Sequence, residues 1–64
     1  MVKINGELLE KDGKTVLEML ADMDINGQRV AVEINEEIVP KVKYGETELK
    51  DGDKVEVVRL VGGG

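Results

Sequence analysis

Apolar and polar residues alternate from the start of the chain, with Val2 and Ile4 separated by Lys3 and followed by Asn5. A period of two built on β-branched residues predicts a strand over residues 1–5. Asn5-Gly6 predicts a two-residue hairpin turn, because both positions tolerate positive φ. Residues 7–10 form the returning strand, with Leu8 or Leu9 turned inward, and residues 11–14 a loop. The period changes at Thr15. Thr15 and Glu18 have the spacing of a capping box, in which each side chain satisfies the other's backbone amide. Val16, Met19, Leu20 and Met23 follow at i, i+3, i+4 and i+7, one face of an α-helix, with Leu17 widening that face and Glu18 and Asp22 on the polar side. The helix is expected to end around Asp24, with Asn26-Gly27 as its left-handed exit.

The second half returns to period two. Val30, Val32 and Ile34 alternate with Arg29, Ala31 and Glu33, which predicts a strand over residues 28–34, and Asn35-Glu36-Glu37 turns the chain. Ile38 and Val39 make a short extended piece, closed by Pro40, which cannot donate to a central ladder. Residues 41–44 alternate again with lysines outward, the pattern of a protected edge strand. Residues 45–49 read as a loop that sinks Leu49 into the core, and Asp51-Gly52-Asp53 as a turn. The final strand covers residues 54–61. Val55 and Val57 hold one parity, then Val58 and Leu60 take the other around Arg59. Such a change means a bulge or an apolar patch on the solvent face, and the patch is favoured.

These elements predict an α+β domain over residues 1–61, followed by a glycine tail at residues 62–64. The first hairpin is antiparallel, and the single helix is the crossover to the third strand. The last strand pairs beside the first in the sheet centre. One helix with one apolar face covers one face of a mixed sheet and leaves the other bare. That arrangement is a β-grasp, the ubiquitin-like fold.

Composition narrows the chemistry. The 64 residues contain no cysteine and no histidine, and Tyr44 is the only aromatic. Disulfides, thiolate or imidazole metal sites, and Ser-His or Cys-His mechanisms are therefore excluded, and the core is aliphatic. A formal charge of −5 argues against nucleic acid and anionic membranes as partners. No apolar run spans a bilayer and no signal peptide opens the chain, so a cytoplasmic monomer is expected. Glu36-Glu37 reads as a solvated turn, not a general acid and base. Asp51-Gly52-Asp53 lacks the further oxygens that calcium requires. With no nucleophile, general base or metal ligand set, the chain is expected to be no enzyme. It offers instead Val61-Gly62-Gly63-Gly64, a lead without side chains that ends on the carboxylate of Gly64. Fully extended, Val61 to Gly64 reaches roughly 13 Å at ~3.3 Å per residue, enough to enter a partner's cleft.

Ile4-Asn5-Gly6-Glu7, Thr15-Val16-Leu17-Glu18, Val30-Ala31-Val32-Glu33-Ile34-Asn35, Ile38-Val39-Pro40, Asp51-Gly52-Asp53 and the closing Val61-Gly62-Gly63-Gly64 occur here in an order that resembles the ThiS family, the ubiquitin-like sulfur carriers of thiazole (thiamine) biosynthesis. Lys41 stands where many members carry arginine. The resemblance implies that an adenylating partner related to ubiquitin-activating enzymes (ThiF-like) uses ATP and magnesium to activate Gly64. A persulfide sulfur donor then converts the adenylate to a thiocarboxylate, which delivers sulfur to thiazole synthase (ThiG-like). Gly62 and Gly63 would give access through a narrow passage, and Val58, Leu60 and Val61 would dock the partners. The small subunit of molybdopterin synthase and a ubiquitin-like modifier that forms isopeptide bonds are the alternatives.

Overall fold

The computed structural model describes residues 1–60; Val61, Gly62, Gly63 and Gly64 lie outside the described residues. The elements are β1 (Val2–Ile4), β2 (Glu7–Leu9), α1 (Val16–Asp22), β3 (Val30–Ile34), β4 (Glu37–Val39) and β5 (Lys54–Arg59), with 3-10 turns at Gly27–Arg29 and Lys41–Lys43. The five strands form one sheet in the order β2-β1-β5-β3-β4. β5 lies in the centre, parallel to β1 and antiparallel to β3, and two hairpins build the edges. This is the expected β-grasp arrangement.

Both hairpins close on two residues with positive φ, Asn5 and Gly6 in the first, Asn35 and Glu36 in the second. Left-handed pairs of this kind match the right-handed twist of the flanking strands. The second turn is thus one residue shorter than the sequence suggested, and Glu37 already belongs to β4. Asn35 anchors it: its side chain donates to Asp53 Oδ1 at 3.1 Å and accepts from the Lys54 amide at 3.0 Å.

The core lies between α1 and one sheet face. Val2, Ile4, Val32 and Val55 enter from the strands and Val16, Met19 and Leu20 from the helix, all buried. Leu9 packs against this core, and Leu8 points away and is exposed. Leu49 is buried from the loop, as its pattern predicts. Leu17 does not widen the buried helical face: it is half-exposed, and with Val42 and Gly45 it borders a hollow outside the core.

Both ends of this seven-residue helix are capped. Thr15 Oγ1 accepts from the Glu18 amide at 3.1 Å, and Glu18 accepts from the Thr15 amide at 2.9 Å. At the other end the Ile25 amide reaches the Leu20 carbonyl at 2.8 Å and the Asp24 amide the Ala21 carbonyl at 3.0 Å, a Schellman pair. The left-handed residue is Asp24, with φ 62°, and not Asn26-Gly27. Asn26 instead caps the next 3-10 turn by accepting from the Gln28 amide at 2.9 Å. A Cβ at Gly27 would stand 3.4 Å from Leu20 Cδ1 and 3.5 Å from the Tyr44 ring, which are ordinary contact distances.

Two predicted strand segments are helical turns. Residues 28 and 29 belong to the 3-10 turn before β3, and the expected edge strand at residues 41–44 is the 3-10 turn Lys41–Lys43. The cause is Tyr44. Its ring is buried and its hydroxyl donates to the Val30 carbonyl at 3.2 Å. A strand would put Val42 on the same side as Tyr44, but only the aromatic has a place in the core, and Val42 is 84% exposed. Lys41 then donates to the Gln28 carbonyl at 2.8 Å and ties the two turns together.

Two predictions come from this frame. Asp24 holds a backbone conformation that glycine adopts freely, so Asp24→Gly is expected to raise unfolding free energy by about 0.5–1 kcal/mol. Urea denaturation measures it; an unchanged or lower midpoint contradicts the strain. The second concerns Asp22, whose carboxylate meets Lys14 Nζ at 2.7 Å and Lys11 Nζ at 3.4 Å. The hydrogen bond from Lys14, then that from Lys11, hold its pKa below the ordinary 3.8, and the same contact holds Lys14 above the ordinary 10.5. A depressed carboxyl stabilises above its unfolded pKa, and a raised ammonium below its own. The stability lost in Lys14→Ala is therefore expected to be constant between these values. It should vanish as pH falls through the depressed Asp22 pKa. A carboxyl NMR titration checks the cause, because Asp22 should move up toward 3.8 in the variant.

Candidate functional site

β5 is the element that leads to the tail, and its hydrogen bonds fix where its side chains point. Its register with β3 is unbroken, pairing Val30 with Arg59, Ala31 with Val58, Val32 with Val57, Glu33 with Glu56 and Ile34 with Val55. No residue is left over, so the change of parity after Val57 is not a bulge. Val55 is buried and Val57 half-buried on the helix side, while Val58 is 50% exposed on the other.

On its opposite edge β5 pairs with β1 only at Lys54 and Val55. Beyond that point Asn5 takes over. Its amide donates to the Val55 carbonyl at 2.9 Å, and its side chain accepts from the Val57 amide at 2.8 Å and donates to the Val57 carbonyl at 3.3 Å. One side-chain amide thus imitates a further residue of strand and keeps β5 straight past the end of its neighbour.

Leu60 lies just past β5. Its amide donates to the Arg29 carbonyl at 2.9 Å, which extends the ladder one step into the 3-10 turn before β3. It is 47% exposed. The structure does not place Val58 and Leu60 in one hollow. Val58 borders a depression on the open sheet face with Glu33, Glu36, Lys54 and Glu56. Leu60 borders a second one at the end of the sheet, with Ile25, Asn26, Arg29 and Val30 among its walls. Both side chains are half-exposed, as an apolar patch requires, but regular strand ends at Arg59 and the Leu60 amide pairs with the Gly27–Arg29 turn, so they border separate hollows. Val61 and the tail residues Gly62, Gly63 and Gly64 fall outside the described residues.

The carboxylates around Val58 were not singled out by reading the sequence. Glu33 and Glu56 are 23 positions apart and meet only through the β3–β5 register, which sequence periodicity does not give. Glu36 and Glu37 are exposed at the second hairpin, as a solvated turn requires.

Known proteins share this sequence and fold. The model of the ThiS family matches residues 2–64. The sulfur carrier protein ThiS of Thermus thermophilus is 44% identical over 64 residues, covering 100% of both chains. A thiazole synthase of Paramagnetospirillum magneticum is 42% identical over 62 residues; the match covers 95% of this chain, which spans only 19% of that protein's length. The crystal structure of a thiamine biosynthesis protein (ThiS) from Geobacter metallireducens superposes with a TM-score of 0.80 at 30% identity, covering 98% of this chain and 97% of that one. A family match over residues 2–64, a relative aligned from end to end and a superposition over nearly the whole chain converge on one assignment: the chain belongs to the ThiS family of sulfur carrier proteins in thiamine biosynthesis.

Proposed function

We propose that this chain carries sulfur on the C-terminal carboxyl of Gly64 and delivers it for thiazole formation. The observation that carries the reading is the end-to-end match to a sulfur carrier, with the family match extending through residue 64. A carboxylate cannot be attacked directly by a sulfur nucleophile, because oxide is too poor a leaving group. A ThiF-like adenylating partner first attacks the α-phosphorus of ATP with the Gly64 carboxylate, assisted by magnesium. This forms an acyl-adenylate and releases pyrophosphate. A persulfide donor then attacks the acyl carbon and AMP leaves. Reductive cleavage of the acyl persulfide's S–S bond by a thiol leaves the thiocarboxylate.

The acceptor is a ThiG-like thiazole synthase, and the match of this chain to part of a thiazole synthase supports that pairing. The chain itself acts as a cosubstrate in the cytoplasm. It contributes no acid, base or nucleophile to the reaction beyond its terminal carboxyl. Gly62 and Gly63 let the end pass through a channel too narrow for side chains. Val58, Leu60 and Val61 supply apolar contact where the tail leaves the domain.

Incubation with the adenylating partner, ATP, magnesium and a persulfide donor is expected to give a protein heavier by the difference between one sulfur and one oxygen atom. Intact-mass spectrometry reads this directly, and a ladder of conjugates to other proteins would instead mark a modifier. Deleting Gly64 should abolish activation while leaving the thermal midpoint unchanged; adenylation of the shortened chain at the normal rate contradicts the role of Gly64.

Leu60→Ala tests the apolar exit. At a half-exposed position truncation is expected to cost within about 0.5 kcal/mol of stability. As an interface anchor it should weaken partner binding by ~1 kcal/mol or more. Thermal unfolding and affinity for the adenylating partner separate the two, and normal affinity removes Leu60 from the docking surface.

A further inference from the structure

The chain has three asparagines, and the fold holds them differently. Asn5 is bonded at both ends of its side-chain amide: the oxygen accepts from the Val57 amide at 2.8 Å, and the nitrogen donates to the Val57 carbonyl at 3.3 Å. Asn35 is also bonded at both ends, accepting from the Lys54 amide at 3.0 Å and donating to Asp53 Oδ1 at 3.1 Å. Asn26 is exposed and bonded at its oxygen alone, which accepts from the Gln28 amide at 2.9 Å. Among the described residues its Nδ2 donates to nothing, and neither does the Gly27 amide.

Asn5 and Asn26 both precede glycine. Glycine has no Cβ to shield its nitrogen, so that nitrogen can approach the side-chain carbonyl carbon of the residue before it. Attack by the glycine nitrogen on Cγ closes a five-membered succinimide. The N–Cγ bond forms, the Cγ–Nδ2 bond breaks, and Nδ2 leaves as ammonia, taking the glycine amide proton. Water then opens the ring at one of its two carbonyls and leaves aspartate or isoaspartate.

The fold opposes this step at Asn5 and permits it at Asn26. Ring closure at Asn5 breaks both bonds to Val57, within a turn fixed by the pairing of Ile4 with Glu7. At Asn26 the departing nitrogen breaks no hydrogen bond. The oxygen that gains negative charge in the tetrahedral intermediate is the one the Gln28 amide already holds, and a donor placed in advance favours a developing oxyanion. The main-chain cost is one bond, from the Arg29 amide to the Asn26 carbonyl at 3.0 Å, since closing the ring rotates that carbonyl.

We propose that Asn26 is a site of spontaneous deamidation in the folded protein, and that isoaspartate there loosens the hold on Leu60. Isoaspartate adds one carbon to the main chain at the residue that caps the Gly27–Arg29 turn. The Arg29 carbonyl of that turn accepts from the Leu60 amide at 2.9 Å. The new carboxylate also enters the wall of the hollow that Leu60 borders. The protein thus changes slowly, without an enzyme, beside the last residue before the tail.

The test is peptide mapping of the purified protein during prolonged incubation in mildly alkaline buffer, both folded and in concentrated urea. Trypsin places the asparagines on separate peptides, residues 4–11, 15–29 and 30–41. Mass spectrometry reads the replacement of an amino group by a hydroxyl, and an isoaspartyl methyltransferase marks the isoaspartate. In the folded protein the 15–29 peptide is expected to convert at least roughly tenfold faster than the other two. In urea the two Asn-Gly peptides should convert at similar rates, because the bonds to Val57 are gone. Hydrogen exchange at the Leu60 amide should be roughly threefold faster or more in the isoaspartate form, separated by chromatography, than in the unaltered protein.

Conversion of the 4–11 peptide in the folded protein as fast as the 15–29 peptide overturns the assignment of the site, as does conversion of the 15–29 peptide only in urea. Equal exchange at Leu60 in the two forms overturns the link between Asn26 and the start of the tail.

Discussion

The last strand of the chain is the centre of the sheet, and the rest of the structure depends on that insertion. β5 closes the gap between the β1–β2 hairpin and the β3–β4 hairpin, which share no ladder of their own. Val55 opposes Ile4 on one side and Ile34 on the other and is wholly buried. Without β5 there are two separate hairpins, and a two-stranded hairpin alone is marginal in water. The segment leading to the C-terminal residues is therefore the one held most firmly, by β3 along its whole length and by β1 and then Asn5 along the other edge. A chain that continues from such a strand has a fixed point of departure at Leu60, which one hung from an edge would lack.

Only one helix is available to cover this sheet, and it is short. Seven residues are well below the length at which an isolated helix is stable, so α1 persists through its contacts and its caps. The capping box satisfies its first amides, the Schellman pair its last carbonyls, and Met19 and Leu20 bury its inner face. The helix cannot be in two places, and the second sheet face stays open. On that face the strands carry lysine, glutamate and a few apolar side chains, and Val58 at the centre of the sheet becomes accessible as a consequence of the topology.

Much of this was legible in the residues, wherever a local rule has one solution. Asn5-Gly6 permits a left-handed hairpin, Thr15 and Glu18 form a capping box, and the i, i+3, i+4 apolar spacing selects Val16, Met19 and Leu20; all three took the conformations their chemistry favours. The failures fall where tertiary demand overrode a short local pattern. Lys41 to Tyr44 alternates over four residues only, too few to fix a period, and the need to bury one tyrosine hydroxyl against the Val30 carbonyl decided the turn. Asp24 took the left-handed position in place of the glycine three residues on, because the paired bonds from Ile25 to Leu20 and from Asp24 to Ala21 end the helix before that glycine. The site divides in the same way. That Val58 and Leu60 break the alternation can be read along the chain, but that Glu33 and Glu56 share a row cannot, since their pairing follows from strand order.

A carrier with one tail can engage one partner at a time, and this constrains how strongly it can be held. A stable interface covers roughly 800 Å² per partner, against a total accessible surface of 4461 Å² for this molecule. Such an interface would occupy about a fifth of the protein and, if centred on the tail, would include the open face. On the proposed function, an activating protein and a sulfur acceptor that both bind around the tail compete for overlapping surface, so a tight complex with the first would block delivery to the second. The open face suits this requirement. Its apolar side chains Leu8, Ile38 and Val58 are interspersed with charge, and Leu60 borders a separate hollow at the end of the sheet, so the charged rows contribute more to association rate and orientation than to residence time. Affinity sufficient for reaction then needs the face and the tail together. On the proposed function, a tail that has reacted and withdrawn leaves only the domain surface, which holds weakly by itself and frees the carrier for its next partner.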